Sequence, residues 1–249
     1  GLTVLELLVT ISIIGILAAV LLPALGAARE STRRVQCVDH LREVGLALHN
    51  HHSAKKQLPA GWEFDPSKQS AYGWAVSLLP YLDQVALSQQ IDKTKSVDDP
   101  MHLLARKTSL QVMLCPSDIA DDSFMLFEDE EDEPDAQPSA FSDSASVQLP
   151  LSELPTANYV GVFGTMEPDD EIPAPIGDGV FVENRHSRFR DFQRGLSHTI
   201  VVGERTMAQV PSTWLGVNLM GEDAAARMVG SALEGINHPL ADECDFSSR

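Results

Sequence analysis

The sequence predicts an α+β fold: a long N-terminal hydrophobic helix packed on a head with an antiparallel sheet. Residues 7–28 carry no charge and are rich in Leu, Ile, Val and Ala. Apolar residues then recur at spacings of three and four into the low fifties. Beyond residue 58, helical stretches give way to short β-type runs bounded by Gly, Pro and Asp, the ordering of an α+β chain. The chain therefore divides near residue 54, with 1–54 as transmembrane and stem helix and 55–249 as head.

The apolar run defines the first element. About 20 such residues cross a bilayer core, so 7–28 is long enough for a transmembrane helix and too long for a secretory h-region. A helix apolar on every side otherwise needs a much larger protein around it. Glu6 stands just before the run, where a carboxylate near bilayer depth costs about 3 kcal/mol and calls for a partner. A helix N-terminus also favours negative charge, which is the plainer reading of the same residue. Past the membrane segment, Val38, Leu41, Gly45 and Leu48 form the expected apolar stripe. No proline intervenes between Pro23 and Pro59, so a helix over 2–54 would run roughly 80 Å at about 1.5 Å per residue.

In the head, 71–92 reads as helical with a break at Pro80, and 98–107 as a second short helix. Residues 110–114 alternate and read as a strand leading into a turn at 115–118. Residues 158–163, 179–182 and 199–202 are further strand candidates. At about 119–155 the composition shifts: Glu128, Asp129, Glu130, Glu131, Asp132 and Glu133 form an unbroken acidic block, then Pro and Ser dominate. Such a stretch cannot bury a core and predicts a mobile, solvated loop. Divalent cations are the natural counter-ions of so acidic a chain, and calcium could bind this loop, but neither EF-hand spacing nor a glycine turn supports a site.

Composition narrows the function. The 249 residues include 36 acidic and 18 basic side chains, a net charge of −18. That surface repels phosphate backbones, and no basic stripe is read in it, so nucleic acid is not an expected partner. Cys37, Cys115 and Cys244 include no CxxC pair; they allow one intrachain disulfide at most, with the pairing open. His49 and His52 share a helix face, with His51 between them and His40 upstream, but no Cys or carboxylate stands at ligand spacing, so no metal site is assigned. Ser197 and His198 are adjacent and, on a strand, would point apart rather than form a dyad. Glu204-Arg205 after an apolar strand has the residue types of a catalytic acid with its orienter, but a structural ion pair at a strand end is the favoured reading. No GxSxG, HExxH, P-loop or GxGxxG is present, no catalytic residue is assigned, and the chain is not read as an enzyme.

The N-terminal residues Gly1-Leu2-Thr3-Val4-Leu5-Glu6-Leu7-Leu8-Val9 resemble the prepilin processing and methylation motif of type IV pilins. In that family a membrane peptidase cuts after the glycine and methylates the new amine, and the glutamate pairs with a neighbouring subunit's N-terminal amine during assembly. The resemblance makes Gly1 the last leader residue, Leu2 the processed N-terminus and Glu6 the assembly glutamate. Gly15 and Pro23 fall where pilins often carry a glycine and a helix-kinking proline.

A second resemblance spans nearly the whole chain. Cys37-Val38-Asp39-His40-Leu41-Arg42-Glu43-Val44-Gly45-Leu46-Ala47-Leu48-His49-Asn50, Leu79-Pro80-Tyr81-Leu82, Leu114-Cys115-Pro116-Ser117-Asp118, Asn158-Tyr159-Val160-Gly161 and Val202-Gly203-Glu204-Arg205 occur in the order of a large paralogous pilin-like bacterial family with a C-terminal His…Asp-Gly signature. Phe246-Ser247-Ser248-Arg249 is similar to the lead-in to that signature, so a further strand or two is expected beyond Arg249. A basic leader is likewise expected before Gly1; it would outweigh Arg29, Arg33 and Arg34 in setting the orientation.

These resemblances imply a subunit of a type IV pilus-like filament or pseudopilus. It would be single-pass in the inner membrane with an extracytoplasmic head, and reach the cell surface or a filament after assembly. Implied partners are identical or related pilin-like subunits, a prepilin peptidase, inner-membrane assembly machinery and the lipid bilayer. The competing reading is a membrane-tethered extracytoplasmic binding module for a solute or glycan; an anchored hydrolase has least support. Glu6 divides the first two, because a plain anchor has no use for a buried carboxylate.

Overall fold

A computed structural model describes residues 3–118, 121–129, 149–166, 168, 177–208 and 210–231. The first element, α1 (Val4–Lys55), is one helix of 52 residues that runs unbroken through Pro23. It ends at Lys56, whose backbone turns into the left-handed region at φ 62° and whose N–H returns to the His52 carbonyl at 2.8 Å. That terminus gives the last turn a hydrogen bond it would otherwise lack.

The two halves of α1 meet different surroundings. The described side chains of the apolar half, from Val4 to Leu25, are exposed, and the helix is long and apolar enough to cross a membrane. The second half buries Cys37, Val44, Ala47, Leu48 and His51, with Leu41 partly covered. These positions repeat at spacings of three and four, which puts them on one helix face. The stripe is offset from the expected one: Val38 is exposed and Cys37 takes the inward place.

The head begins with the hairpin β1 (Trp62–Phe64) and β2 (Ser70–Gly73). Asp65 shapes its turn by accepting the N–H groups of Ser67, Gln69 and Ser70. Ala71, Tyr72 and Gly73 are thus strand, not the start of a helix. Trp74–Tyr81 follows as a 3-10 helix that accommodates Pro80, and α2 (Val85–Ser88) is a single turn. The 98–107 reading holds as a 3-10 turn, Pro100–His102, leading into α3 (Leu103–Arg106). The expected strand over 110–114 is instead a 3-10 turn at Gln111–Met113, because Met113 and Leu114 bond back to Leu110 and Gln111 rather than across to another strand.

The remaining strands are β3 (Ser123–Phe127), β4 (Pro150–Pro155), β5 (Tyr159–Gly164), β6 (Phe181–Val182), β7 (Arg185–His186), β8 (Val202–Glu204), β9 (Gly216–Asn218) and β10 (Val229–Ser231). They form four small sheets: β1-β2-β9, β10-β5-β8, β3-β4 and β6-β7. All pairings are antiparallel except β10 with β5, so the sheet system is mixed rather than purely antiparallel. Gly216 permits the β2–β9 contact: its φ is +143°, and a Cβ there would lie 2.1 Å from the Ala71 carbonyl oxygen.

The acidic-loop limits narrow. Residues 123–127 and 150–155 pair as β3 and β4, and the N–H groups of Glu128 and Asp129 bond Leu149 and Met220 at 2.9 Å. Residues 130–148, where the expected mobile stretch and its calcium reading fall, lie outside the described residues.

One core joins stem and head. Trp62, Tyr72, Trp74, Phe163, Phe181 and Trp214 fill its centre, and both Val44 and Ala47 of α1 are sealed within it. The polar ends of the large rings are satisfied: Trp74 Nε1 donates to Met228 O at 3.1 Å and Trp214 Nε1 to Thr108 O at 3.2 Å.

Candidate functional site

The tip of the stem presents the first candidate. Thr3 caps α1, with its Oγ1 accepting from Glu6 N at 3.4 Å. The Glu6 carboxylate reaches back, accepting from Thr3 N at 2.8 Å and Thr3 Oγ1 at 3.0 Å. This reciprocal capping box satisfies two orphan donors of the first turn. Glu6 is thus held at the end of an apolar rod, exposed in the single chain. Gly1 and Leu2 lie outside the described residues.

The junction between stem and head is the second candidate. Cys37 of α1 is joined to Cys115 by a disulfide whose Cα atoms are 5.2 Å apart, across 78 positions of sequence. Asn158, just before β5, organises this region. Its Oδ1 accepts from Cys115 N at 2.8 Å, and its Nδ2 donates to Asp118 Oδ2 at 2.6 Å and Arg205 O at 3.1 Å. Tyr159 Oη donates to the Cys37 carbonyl at 3.3 Å. The motif residues Cys37, Cys115, Asp118, Asn158, Tyr159 and Glu204, far apart in sequence, therefore meet where the helix enters the head.

A family model described as protein of unknown function (DUF1559) matches residues 26–248. The chain belongs to that family. It is the pilin-like paralogous family that the motifs resemble, and the match covers every head motif just described while beginning downstream of Glu6. No curated protein and no solved structure matches the chain.

In this family member, Glu204 and Arg205 do not act as one unit. Successive strand residues point to opposite faces, and the two side chains meet different surroundings. Glu204 lies against the disulfide, where burial, with the Asp118 charge second, pushes its carboxyl above the usual glutamate range. Arg205 is buried on the other side. It donates to Ser212 Oγ at 3.0 Å, to the Ala226 carbonyl and to Val229 O at 3.5 Å. Ligand atoms of Cys37, Cys115 and Glu204 lie within 4.8 Å of one another. Both sulfurs are committed to the disulfide, so neither is a thiolate that could ligate a cation.

The histidines are structural contacts. His40 Nδ1 lies 2.8 Å from Leu114 O, and His51 is buried with Nδ1 2.9 Å from Gln57 O. His52 stacks on Phe189 at 3.8 Å, and His49 tilts toward the same ring at 4.9 Å. Ser197 and His198 lie in a 3-10 turn, Leu196–His198, not on a strand, and both are exposed.

The charge reading missed one feature. Arg185, His186, Arg188, Arg190, Arg194 and His198 crowd into 185–198, so the acidic surface does carry a basic interruption. A count of arginines by window would have found it; net charge hides it.

Proposed function

We propose that the chain is a structural subunit of a type IV pilus-like filament or pseudopilus, anchored and assembled through α1. The observation that carries this is the exposed apolar half of α1 with a single carboxylate at its tip. Such a rod is stable only in lipid or among copies of itself, because water exposure of so much apolar surface is costly at about 25 cal/mol per Å². In a dry bundle an unpaired carboxylate is penalised by several kcal/mol, about 3–5 for a broken buried pair, and a neighbour's terminal ammonium compensates it. Glu6 then sets the register between subunits. Among the described residues of the head, no set of side chains forms a catalytic constellation.

The capping box supplies the discriminating experiment. Gln completes the same box as Glu but lacks the charge. Glu6→Gln therefore preserves the helix start and membrane insertion, whereas Glu6→Leu removes the box and eases insertion. Variants expressed beside wild type are fractionated into membrane and sheared-filament or crosslinked-oligomer pools. Both are expected in the membrane and depleted from the oligomer pool. Wild-type oligomer levels for Glu6→Gln would reduce Glu6 to a cap and favour the tethered binding module.

A further inference from the structure

Arg185, His186, Arg194 and His198 of the basic run line a cleft in the head. Its volume is about 890 Å³, within the range of small-ligand sites, and it is lined by Thr165, Asp178, Arg185, Phe192, Arg194 and His198, among others. Two turns hold it in place. Phe189 stacks on His52 at 3.8 Å, and Leu58 N donates to Ser187 O at 2.8 Å. Both ties are to the C-terminal end of α1, so the cleft sits at the end of the stem opposite the apolar half.

Charge is the first argument. In a chain of net charge −18 the cleft is locally balanced: Arg185 and Arg194 stand against Asp178 and Asp191, so it offers both a place for an anionic group and acceptors for donors. Among the described residues, the side chains of Arg194 and His198 have no hydrogen-bond or ion-pair partner. Arg185 is positioned by donating to Gly179 O at 2.8 Å, and its charge acts on the nearby Asp178 carboxylate.

The acidic groups beside these cations narrow the ligand. Asp178 accepts from Thr165 N at 2.7 Å and Thr165 Oγ1 at 3.0 Å, and Asp191 accepts from Arg188 N at 2.8 Å. These bonds hold two carboxylates on the cleft with further lone pairs available. A phosphate, with up to two negative charges and few donors, is repelled by them, and an ionised acidic side chain gives them no donor. A ligand bearing both a carboxylate and hydroxyl donors satisfies both kinds of group. Phe192, half-buried and part of the lining, adds apolar surface to the cleft, which suits the C–H side of a sugar.

We propose that this cleft binds an acidic saccharide, a sugar carrying a ring carboxylate, with Arg194 and Arg185 on the carboxylate and Asp178 and Asp191 accepting from hydroxyls. The site goes beyond the assembly role of the stem and does not rest on it, so either reading can fail without the other.

The test uses the full chain in nonionic detergent micelles and titration calorimetry with trigalacturonate. Trigalacturonate is expected to bind, with affinity falling as salt rises. Maltotriose, of the same size without charge, and inorganic phosphate are each expected to bind at least tenfold more weakly. Arg194→Gln is expected to lose about tenfold and Arg194→Glu more, while Lys107→Gln, outside the cleft, retains wild-type affinity. Since Arg194 is exposed, these variants keep the fold, and unchanged circular dichroism checks it. No binding of trigalacturonate, equal binding by Arg194→Glu, or equal affinity for a hexaglutamate peptide would each overturn the proposal, the last by showing that charge alone is read.

Discussion

Three residues carry most of the testable chemistry of the stem and its junction. Glu6 is both a cap and, in our proposal, a register pin, and only substitution by Gln separates the two. Arg205 binds the β8 end to the segment before β10, so Arg205→Met is expected to lower head stability by about 2–6 kcal/mol. The reason is that the carbonyls of Ala226 and Val229 lose their donor, at about 1–3 kcal/mol each. Denaturant unfolding measures this directly. Glu204 gives the pH signature. Its pKa is raised in the folded state, so the stability it contributes is full below the ordinary value of 4.5 and is lost as pH rises through the raised value. Glu204→Gln should therefore raise Tm at about pH 7 and give no advantage at about pH 4. His51 slopes the other way. Burial lowers its pKa, so its contribution is present above 6.5 and lost as pH falls through the folded value. An unchanged Tm difference between Glu204→Gln and wild type across this range would show that the carboxyl is not desolvated in solution.

At the scale of elements, the disulfide is the clamp between rod and head. Closing a loop of 78 residues constrains the unfolded chain by about 4–5 kcal/mol in the chain-entropy picture. Cys37→Ala with Cys115→Ala is expected to lower head stability by about 2–5 kcal/mol. It should also raise amide exchange along 34–48 of α1, measured by mass spectrometry. Exchange unchanged there would mean that packing of Val44 and Ala47 alone fixes the helix. The elements also show what the sequence could reveal. The long helix was legible because apolar length and period are properties of the chain itself. The inward face was misjudged by one position, since Cys37 was not counted as apolar and Val38 was. Residues 71–73 and 111–113 were misread for a different reason. Ala71, Tyr72 and Gly73 are strand because they pair with β1 across the Asp65 turn, and β9, more than 140 positions later, pairs with Ala71 and Tyr72 on the other edge, a partner no local window contains. Residues 111–113 alternate like a strand, but Cys115 is held by Asn158 and by the disulfide, which turns the segment into a 3-10 coil.

For the whole molecule, architecture was more legible than site. The family and the membrane-length helix both follow from patterns along the chain. The meeting of Cys115, Asp118, Asn158 and Glu204 does not, because nothing in three separated motifs says that they share one junction. The cleft was hidden by the same averaging: a net charge of −18 describes the surface and conceals the arginines at 185–194. The central claim is that subunits join through the rods, with the carboxylate of one meeting the terminal amine of another. A membrane-permeant carbodiimide couples a buried carboxylate to an amine in direct contact with it, adding no spacer. Purified assemblies would be treated, digested and searched by mass spectrometry for an amide between Glu6 of one copy and the N-terminal residue of another. Mixing isotopically light and heavy subunits before assembly marks that link as intermolecular. The account predicts a mixed-isotope Glu6–N-terminus peptide, absent in Glu6→Gln; assemblies that form normally but give no such link, or give it only within one copy, would contradict it.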